Sequence, residues 1–598
     1  MPENKITFGK IFWPSLLAVF IMSIIGLFIF ILIIGGIIGS FGEFGPKPLS
    51  LKNNTVLHMV LDGEIGETSN STFDPTSFQV NRTIGLSDLL FGIENAKNDS
   101  KVKGIFLEVN DLNCGYASLR EIREALIDFK ASGKFIVAYN AGEVITQKEY
   151  YLSTVASEVY AFPSSAMEFF GLGAELTYFK NTLDKLEVEV EIIRGSNNDF
   201  KSAVEPFFRT DMSDSSRVQI ERYLTSMWED IRTDISKERN VSITKLNDIA
   251  ETAAIRRAND AVKLKLLDGV MYRDEVIDLL SEKIGLEKGE EPEFQAFEKY
   301  ARKKFYSEQK LTKNDDPNIA VILAEGEIST DGDGLSAKDI CKLFQDVRKN
   351  NSIKTVVFRV NSPGGSALAS DEIWREVVIT NKSKRVIVSM GDVAASGGYY
   401  IAAPGTTIFA EPTTITGSIG VFGMIPYLGK MLENKLGITF DRAGTNTHSI
   451  MSLMKKLTPE ELKMIQEEVD YTYMEFLNRV AVGRHISVEQ VNMIARGRVW
   501  TGRDALQIGL VDRLGGLKDA IQYASKKAGI KDKKVLYYPL KEEGMWQEIL
   551  EDFEEENGAM VMSKHELPEA LTNSYAAILR MSNRFGIQMR LPYEITIH

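Results

Sequence analysis

Cysteine and histidine are both scarce in this chain. Its 598 residues include two cysteines, Cys114 and Cys341, and five histidines. Two thiols so far apart make neither a disulfide framework nor a zinc-ligand spacing, and they read as small buried apolar residues. The histidines (His58, His448, His485, His565 and His598) fall in none of the glycine-rich motifs described below. Basic clusters are missing too. The net charge is −13 and no lysine-arginine or aromatic-basic stripe stands out, which argues against a nucleic-acid partner. A phosphate cradle is disfavoured because NSPGGS at 361–366 is not followed by Gly-Lys-Ser/Thr. No metal or nucleotide cofactor is expected.

Long hydrophobic runs are absent after the first forty residues, but one is present before that. No charged residue occurs at 11–42, and 16–34 is almost continuously apolar. That length suffices for a bilayer core, which needs ~20 residues. It exceeds the ~7–15 residues of a cleaved signal's apolar region, so a retained anchor is the expectation. Lys5 and Lys10 precede it and Lys47 and Lys52 follow, so charge bias gives little orientation. Residues 43–598 are expected on one side of the membrane.

The remaining chain is ordinary in composition, 44% hydrophobic and 26% charged. It is also too long for one core. It reads as two copies of one unit. LHMVLDGEIGE from Leu57 resembles AVILAEGEIST from Ala320, and Gly104-Ile-Phe-Leu-Glu-Val-Asn110 resembles Thr355-Val-Val-Phe-Arg-Val-Asn361. AGEVITQKEYYL from Ala141 matches MGDVAASGGYYI from Met390, and AVKLKLLDG from Ala261 parallels ALQIGLVDR from Ala505. Such a repeat is too long for a solenoid and indicates a duplicated domain. β-branched strand runs alternate with helical patterns, an α/β signature with a substantially parallel sheet. The expected division is an anchor at 1–42, a first repeat at 43–300, a charge-rich linker at 301–318, a second repeat at 319–540 and an acidic tail at 541–598.

The copies differ where chemistry would sit. Ser396, in the small-residue turn AASGGYY, lies opposite Gln147, and Gly397-Gly398 lie opposite Lys148-Glu149. NSPGGS faces Asn110-Asp-Leu-Asn-Cys-Gly115, which lacks adjacent glycines. The first copy instead carries Lys201 in FKSAVEP, where the second has Ile450. One half keeps a candidate nucleophile and the other a candidate base, which suggests one composite site. His448 lies two residues from Ile450, so a Ser-His pairing stays open beside Ser-Lys.

Five pieces carry a family resemblance: FKSAVEPF around Lys201, NSPGGS, AASGGYYIAA around Ser396, TGSIGVFG at 416–423, and GRVWTGRDALQIGLVDRLGG from Gly497. In this order, with the duplication and the apolar run, the chain resembles the signal peptide peptidase A (protease IV) family in its long, membrane-anchored form. The resemblance implies tandem α/β domains of Clp protease/crotonase-like fold, built of repeated ββα units after one transmembrane helix. It implies Ser396 as nucleophile, Lys201 as general base and Ser418 as the hydroxyl that positions the lysine. It implies signal peptides as substrates, an oligomer (a tetramer), and an extracytoplasmic site on a bacterial cytoplasmic membrane. Gly391-Asp392-Val393 departs from the family's turn, which speaks against a role for Asp392.

Physical chemistry is consistent with these roles. A lysine with a pKa of ~10.4 is no base unless burial lowers it, so Lys201 should sit in a dry site walled by Ala203, Val204, Pro206, Phe207 and Phe208. Glu205 should point away from the amine. Ser396 should open a helix through Tyr399–Ile401, with Gly397 and either Gly364 or Gly365 donating N–H groups to an oxyanion. Rival readings are a non-catalytic membrane scaffold of the same fold, and a crotonase-like acyl-CoA enzyme, which would need neither the anchor nor the serine.

Overall fold

Strands rich in β-branched and aliphatic residues form the centre of each repeat, and helices cover them. The computed structural model describes residues 51–540 apart from 75–78, 288 and 333, together with strand Ile587–Arg590 and scattered positions between 16 and 28. Among the described residues the first repeat builds a six-stranded sheet. Its order is Gly269–Val270, Glu158–Ala161, Phe135–Asn140, Val102–Asn113, Thr55–Glu64 and Phe294–Ala296. All neighbours are parallel.

The second repeat repeats the plan around Val535–Tyr538, Ile319–Glu325, Thr355–Ser362 and Arg385–Ala395, again parallel. Parallel strands are covered on both faces, so they read as continuous apolar runs. TVVFRVNS at Thr355–Ser362 is buried at every position but one. Arg385–Ala395 forks: Ile387, Val388 and Ser389 pair with Thr407–Ala410, while Val393, Ala394 and Ala395 pair with Ile415–Gly417. The covering helices follow amphipathic patterns. Helix Ala337–Lys349 buries Ile340, Phe344 and Val347, and Ser336 caps it by accepting from the Asp339 N–H.

A third sheet joins the repeats. Its order is Leu335–Ser336, Ile328–Ser329, Gly364–Ser366, Ile587–Arg590, Phe422–Tyr427 and Glu189–Arg194. The last strand comes from the first repeat and pairs antiparallel with Phe422–Tyr427 over six residues, from Phe422↔Arg194 to Tyr427↔Glu189. Seven residues after Arg194 the chain reaches Lys201. This pairing therefore carries the lysine of one half to the serine of the other.

The described residues from 51 to 540, with strand Ile587–Arg590, form one compact unit. The charge-rich boundary is helical at Phe297–Asn314 and buries Phe297, Tyr300, Ala301 and Phe305. Within the segment expected as a tail, Ile587–Arg590 is a strand between Gly364–Ser366 and Phe422–Tyr427, antiparallel to both. The expected anchor, apart from its scattered positions, and the acidic stretch 542–556 lie outside the described residues. No helix among the described residues is long and apolar enough to cross a membrane.

Candidate active site

Ser396 lies at the end of strand Arg385–Ala395, in a backbone conformation (φ 56°, ψ −117°) that side-chain-bearing residues rarely adopt. Holding it costs about 1–3 kcal/mol, which surrounding bonds must offset. The Ser396 N–H donates to the Gly417 carbonyl (2.8 Å), and the Tyr400 N–H donates to the Ser396 carbonyl (2.9 Å). Helix Gly397–Ala402 follows, fully buried. The glycines here are required by close approach. A Cβ at Gly398 would collide with the Ser362 carbonyl oxygen, and one at Gly397 would lie 2.7 Å from Ser370 Oγ and 3.1 Å from Gly364 Cα. Gly364 and Gly365 both have positive φ, 101° and 156°.

The corresponding turn of the first repeat shows what was lost. Thr146 accepts from the Glu149 N–H while the Glu149 carboxylate accepts from the Thr146 N–H, an ordinary capping box. Gln147 starts that helix instead of standing strained before it, and its side-chain oxygen accepts from the Gly171 N–H.

Lys201 is fully buried, and its Nζ lies 2.8 Å from Ser396 Oγ, 2.9 Å from the Ser418 carbonyl oxygen and 3.0 Å from Ser418 Oγ. All three residues belong to one chain. Burial holds the amine well below the usual lysine range. A neutral amine has two N–H groups and one lone pair. Donation of both N–H groups to Ser418 leaves the lone pair facing the Ser396 hydroxyl, the arrangement that can accept its proton. Glu205 is turned to Ser213, whose hydroxyl donates to its carboxylate (2.6 Å). His448 Nδ1 faces Glu461 at 3.6 Å, whereas Lys201 is the residue that meets the Ser396 hydroxyl.

Gly497, which opens the GRVWTGRD motif, and Gln219 are positioning residues whose roles the sequence alone does not assign. Gly497 has φ 78°, and a Cβ there would fall 2.5–2.7 Å from Lys201 Cβ, N and Cα. The strand edge beyond it holds the site on both sides, since the Gly497 N–H donates to Ile419 O and the Ser418 N–H to Arg498 O. Gln219, from helix Asp214–Arg239, donates to Ser202 Oγ and Phe200 O and accepts from the Val499 N–H. Asp392 has a structural part despite its departure from the family turn. Its carboxylate accepts from the Ala117 and Ser118 N–H groups (2.9 Å each) and from the Ser118 hydroxyl, so it caps helix Tyr116–Lys130 of the other repeat.

Comparison with known proteins agrees with the doubled architecture. A model for Clp protease matches residues 320–415, which places the second repeat in an α/β class of serine peptidases. A model for peptidase family S49 matches twice, over 128–287 and 379–531. Protease 4 of Haemophilus influenzae is 34% identical over 83% of this chain and 83% of its own length. The chloroplastic serine protease SPPA of Arabidopsis thaliana is 32% identical over 80% of this chain and 70% of its own. A putative signal peptide peptidase SppA of Enterococcus faecium is 37% identical over 33% of this chain and 57% of its own. The chain belongs to peptidase family S49, and it is a serine peptidase.

Proposed function

We propose that this chain is a membrane-tethered endopeptidase that degrades cleaved signal peptides through a Ser396–Lys201 dyad. The observation that carries the reading is the 2.8 Å approach of a wholly buried lysine amine to a serine hydroxyl on a strained turn. Lys201 takes the hydroxyl proton as Ser396 Oγ attacks the peptide carbonyl. The oxyanion is met by the N–H of Gly397 and that of Gly364 or Gly365. The amine then protonates the leaving nitrogen, and water, activated by the same lysine, hydrolyses the ester. Ser418 keeps the amine oriented throughout.

Signal peptides as substrates are supported by the name of the Enterococcus faecium relative and by the apolar run at 11–42, which would bring the enzyme to membrane-embedded peptides. We place the chain in a bacterial cytoplasmic membrane with its catalytic repeats outside the cytoplasm, as a homo-oligomer of tetrameric type. Ser396→Ala and Lys201→Ala should each abolish cleavage of a signal-peptide-like substrate while the circular dichroism spectrum is retained. An active Lys201→Ala enzyme alongside an inactive His448→Ala enzyme would replace the dyad with a Ser-His pair.

A further inference from the structure

Arg498 is a half-buried cation beside the candidate site. Among the described residues its guanidinium has neither an ion pair nor a hydrogen bond. It lies against two aromatic rings, 4.3 Å from the centroid of Trp500 and 5.1 Å from that of Phe200. Burial lowers the pKa of this guanidinium, while Asp504 opposes that shift and Arg222 adds to it. The Asp504 carboxylate is already held by Arg222 (2.7 Å). Two arginines thus share one carboxylate, in a chain whose net charge is −13. Contact with the rings offsets part of the cost of desolvating a cation, and an anion would offset far more.

The chain ties this arginine to the reacting groups from two sides. Phe200 immediately precedes Lys201. The Arg498 carbonyl accepts from the Ser418 N–H (2.7 Å), and Ser418 Oγ lies 3.0 Å from Lys201 Nζ. The duplication separates the side chain from the framework that carries it. Ile415 pairs with Thr501 in the second repeat, and Ala166 bridges to Arg257 in the first. Three residues before Thr501 and Arg257 stand Arg498 and Ala254, which therefore correspond. Both repeats keep a positive φ one residue earlier, 78° at Gly497 and 47° at Ala253. The repeat without the serine also lacks the arginine, so this turn of the fold does not require a guanidinium.

We propose that Arg498 binds the C-terminal carboxylate of the peptide substrate and so selects peptides with a free carboxyl end. This rests on the signal-peptide reading above. A signal peptide severed from its precursor differs from the same sequence within the precursor at its end. There it bears a carboxylate, where the precursor has a peptide bond. An arginine fork binds a carboxylate through two parallel N–H···O bonds, whereas a peptide bond offers one neutral oxygen. Rings lying against the guanidinium leave its N–H groups for such an acceptor. Precursors are thereby spared and severed leaders taken. The first cut falls at a constant distance from the carboxyl end, because the end is held while Ser396 stays in place.

The test uses the full-length detergent-purified chain and two peptides of one apolar, signal-peptide-like sequence, one ending in a free acid and the other in an amide. The wild type should favour the acid in kcat/KM by about tenfold or more, chiefly through KM. Arg498→Gln should bring the acid-to-amide ratio close to one. Arg498→Lys, which keeps the charge without the fork, should give an intermediate ratio, and it carries the comparison if the glutamine variant does not fold. Extending the acid peptide at its N-terminus should leave the first cut, located by mass spectrometry, at the same distance from the carboxyl end. Equal cleavage of acid and amide by the wild type overturns the proposal and leaves the dyad standing. An acid preference left intact by either substitution overturns it also, because another group then reads the carboxylate. Failure to cut either peptide removes the signal-peptide reading and the proposal together.

Discussion

Lys201 is the base of the proposed dyad, and its environment makes a directional claim about pH. Burial lowers the pKa of the amine, so the neutral form is favoured at a pH where a free lysine, with a pKa of ~10.4, would be charged. Protonation at low pH removes the base. The kcat/KM profile should therefore fall as pH drops through a midpoint well under the free-lysine value. A midpoint at the free-lysine value would contradict a desolvated base. Gly497 is the second residue with a sharp expectation. Its positive φ and its contact with the Lys201 backbone leave no room for a methyl group. Gly497→Ala should cost about 1–3 kcal/mol of stability and at least tenfold in activity. Chemical denaturation and a peptide assay check both, and a variant that matches the wild type in both refutes the close-approach argument.

At the scale of elements, the site depends on strands and helices that cross between repeats. The Asp392 carboxylate caps helix Tyr116–Lys130, satisfying N–H groups that helices leave free at their start. Asp392→Ala should lower stability by about 1 kcal/mol, and Asp392→Asn, which keeps an acceptor oxygen, should retain most of it. Equal denaturation midpoints for Asp392→Ala and the wild type would argue against the cap. Much of this level was legible in the sequence. Parallel strands covered on both faces left aliphatic runs such as TVVFRVNS, and aligning the two copies exposed Ser396 and Lys201 as complementary losses. Roles that arise from contact between distant segments were not legible, even where the residue stood in a recognised motif. Gly497 matters because of where Lys201 passes, 296 residues earlier. IQMR at Ile587–Arg590 is short and follows an acidic stretch, so nothing in its pattern announced a strand between Gly364–Ser366 and Phe422–Tyr427.

At the scale of the whole molecule, the seam between repeats is ionic. Arg359 is fully buried in a central strand. It contacts Glu67 (2.9 Å) and Glu121 (2.6 Å) of the first repeat, and it donates to Ser389 Oγ and Met390 O of its own. Alternation alone would have turned such an arginine towards solvent. Nearby, the Glu67 N–H donates to the Glu325 carboxylate (3.0 Å), and Arg120 meets Glu411 (3.3 Å). Burial pushes Glu67 up to about 7; Arg359 opposes that shift, while Glu121 and Glu325 add to it. Burial also raises Glu121, Glu325 and Glu411.

A carboxyl whose pKa is higher folded than unfolded contributes stability that is full below the unfolded value, here near 4.5, and is lost as pH rises through about 7. The thermal midpoint should therefore fall as pH rises from about 4.5 to about 7. Glu67→Gln should reduce that fall, by an amount corresponding to about 3 kcal/mol or less. An unchanged slope in calorimetry would remove Glu67 from the account.

The division of the site between repeats also has a consequence during synthesis. Lys201 and Ser396 are 195 residues apart in sequence. A ribosome that has delivered the whole first repeat has made the lysine of the proposed dyad without its serine. The serine follows within the second repeat, but the glycine that leaves room for Lys201 comes about a hundred residues later still, at Gly497. In the proposed dyad, a chain stopped short of Gly497 therefore has no complete site with which to cut its neighbours.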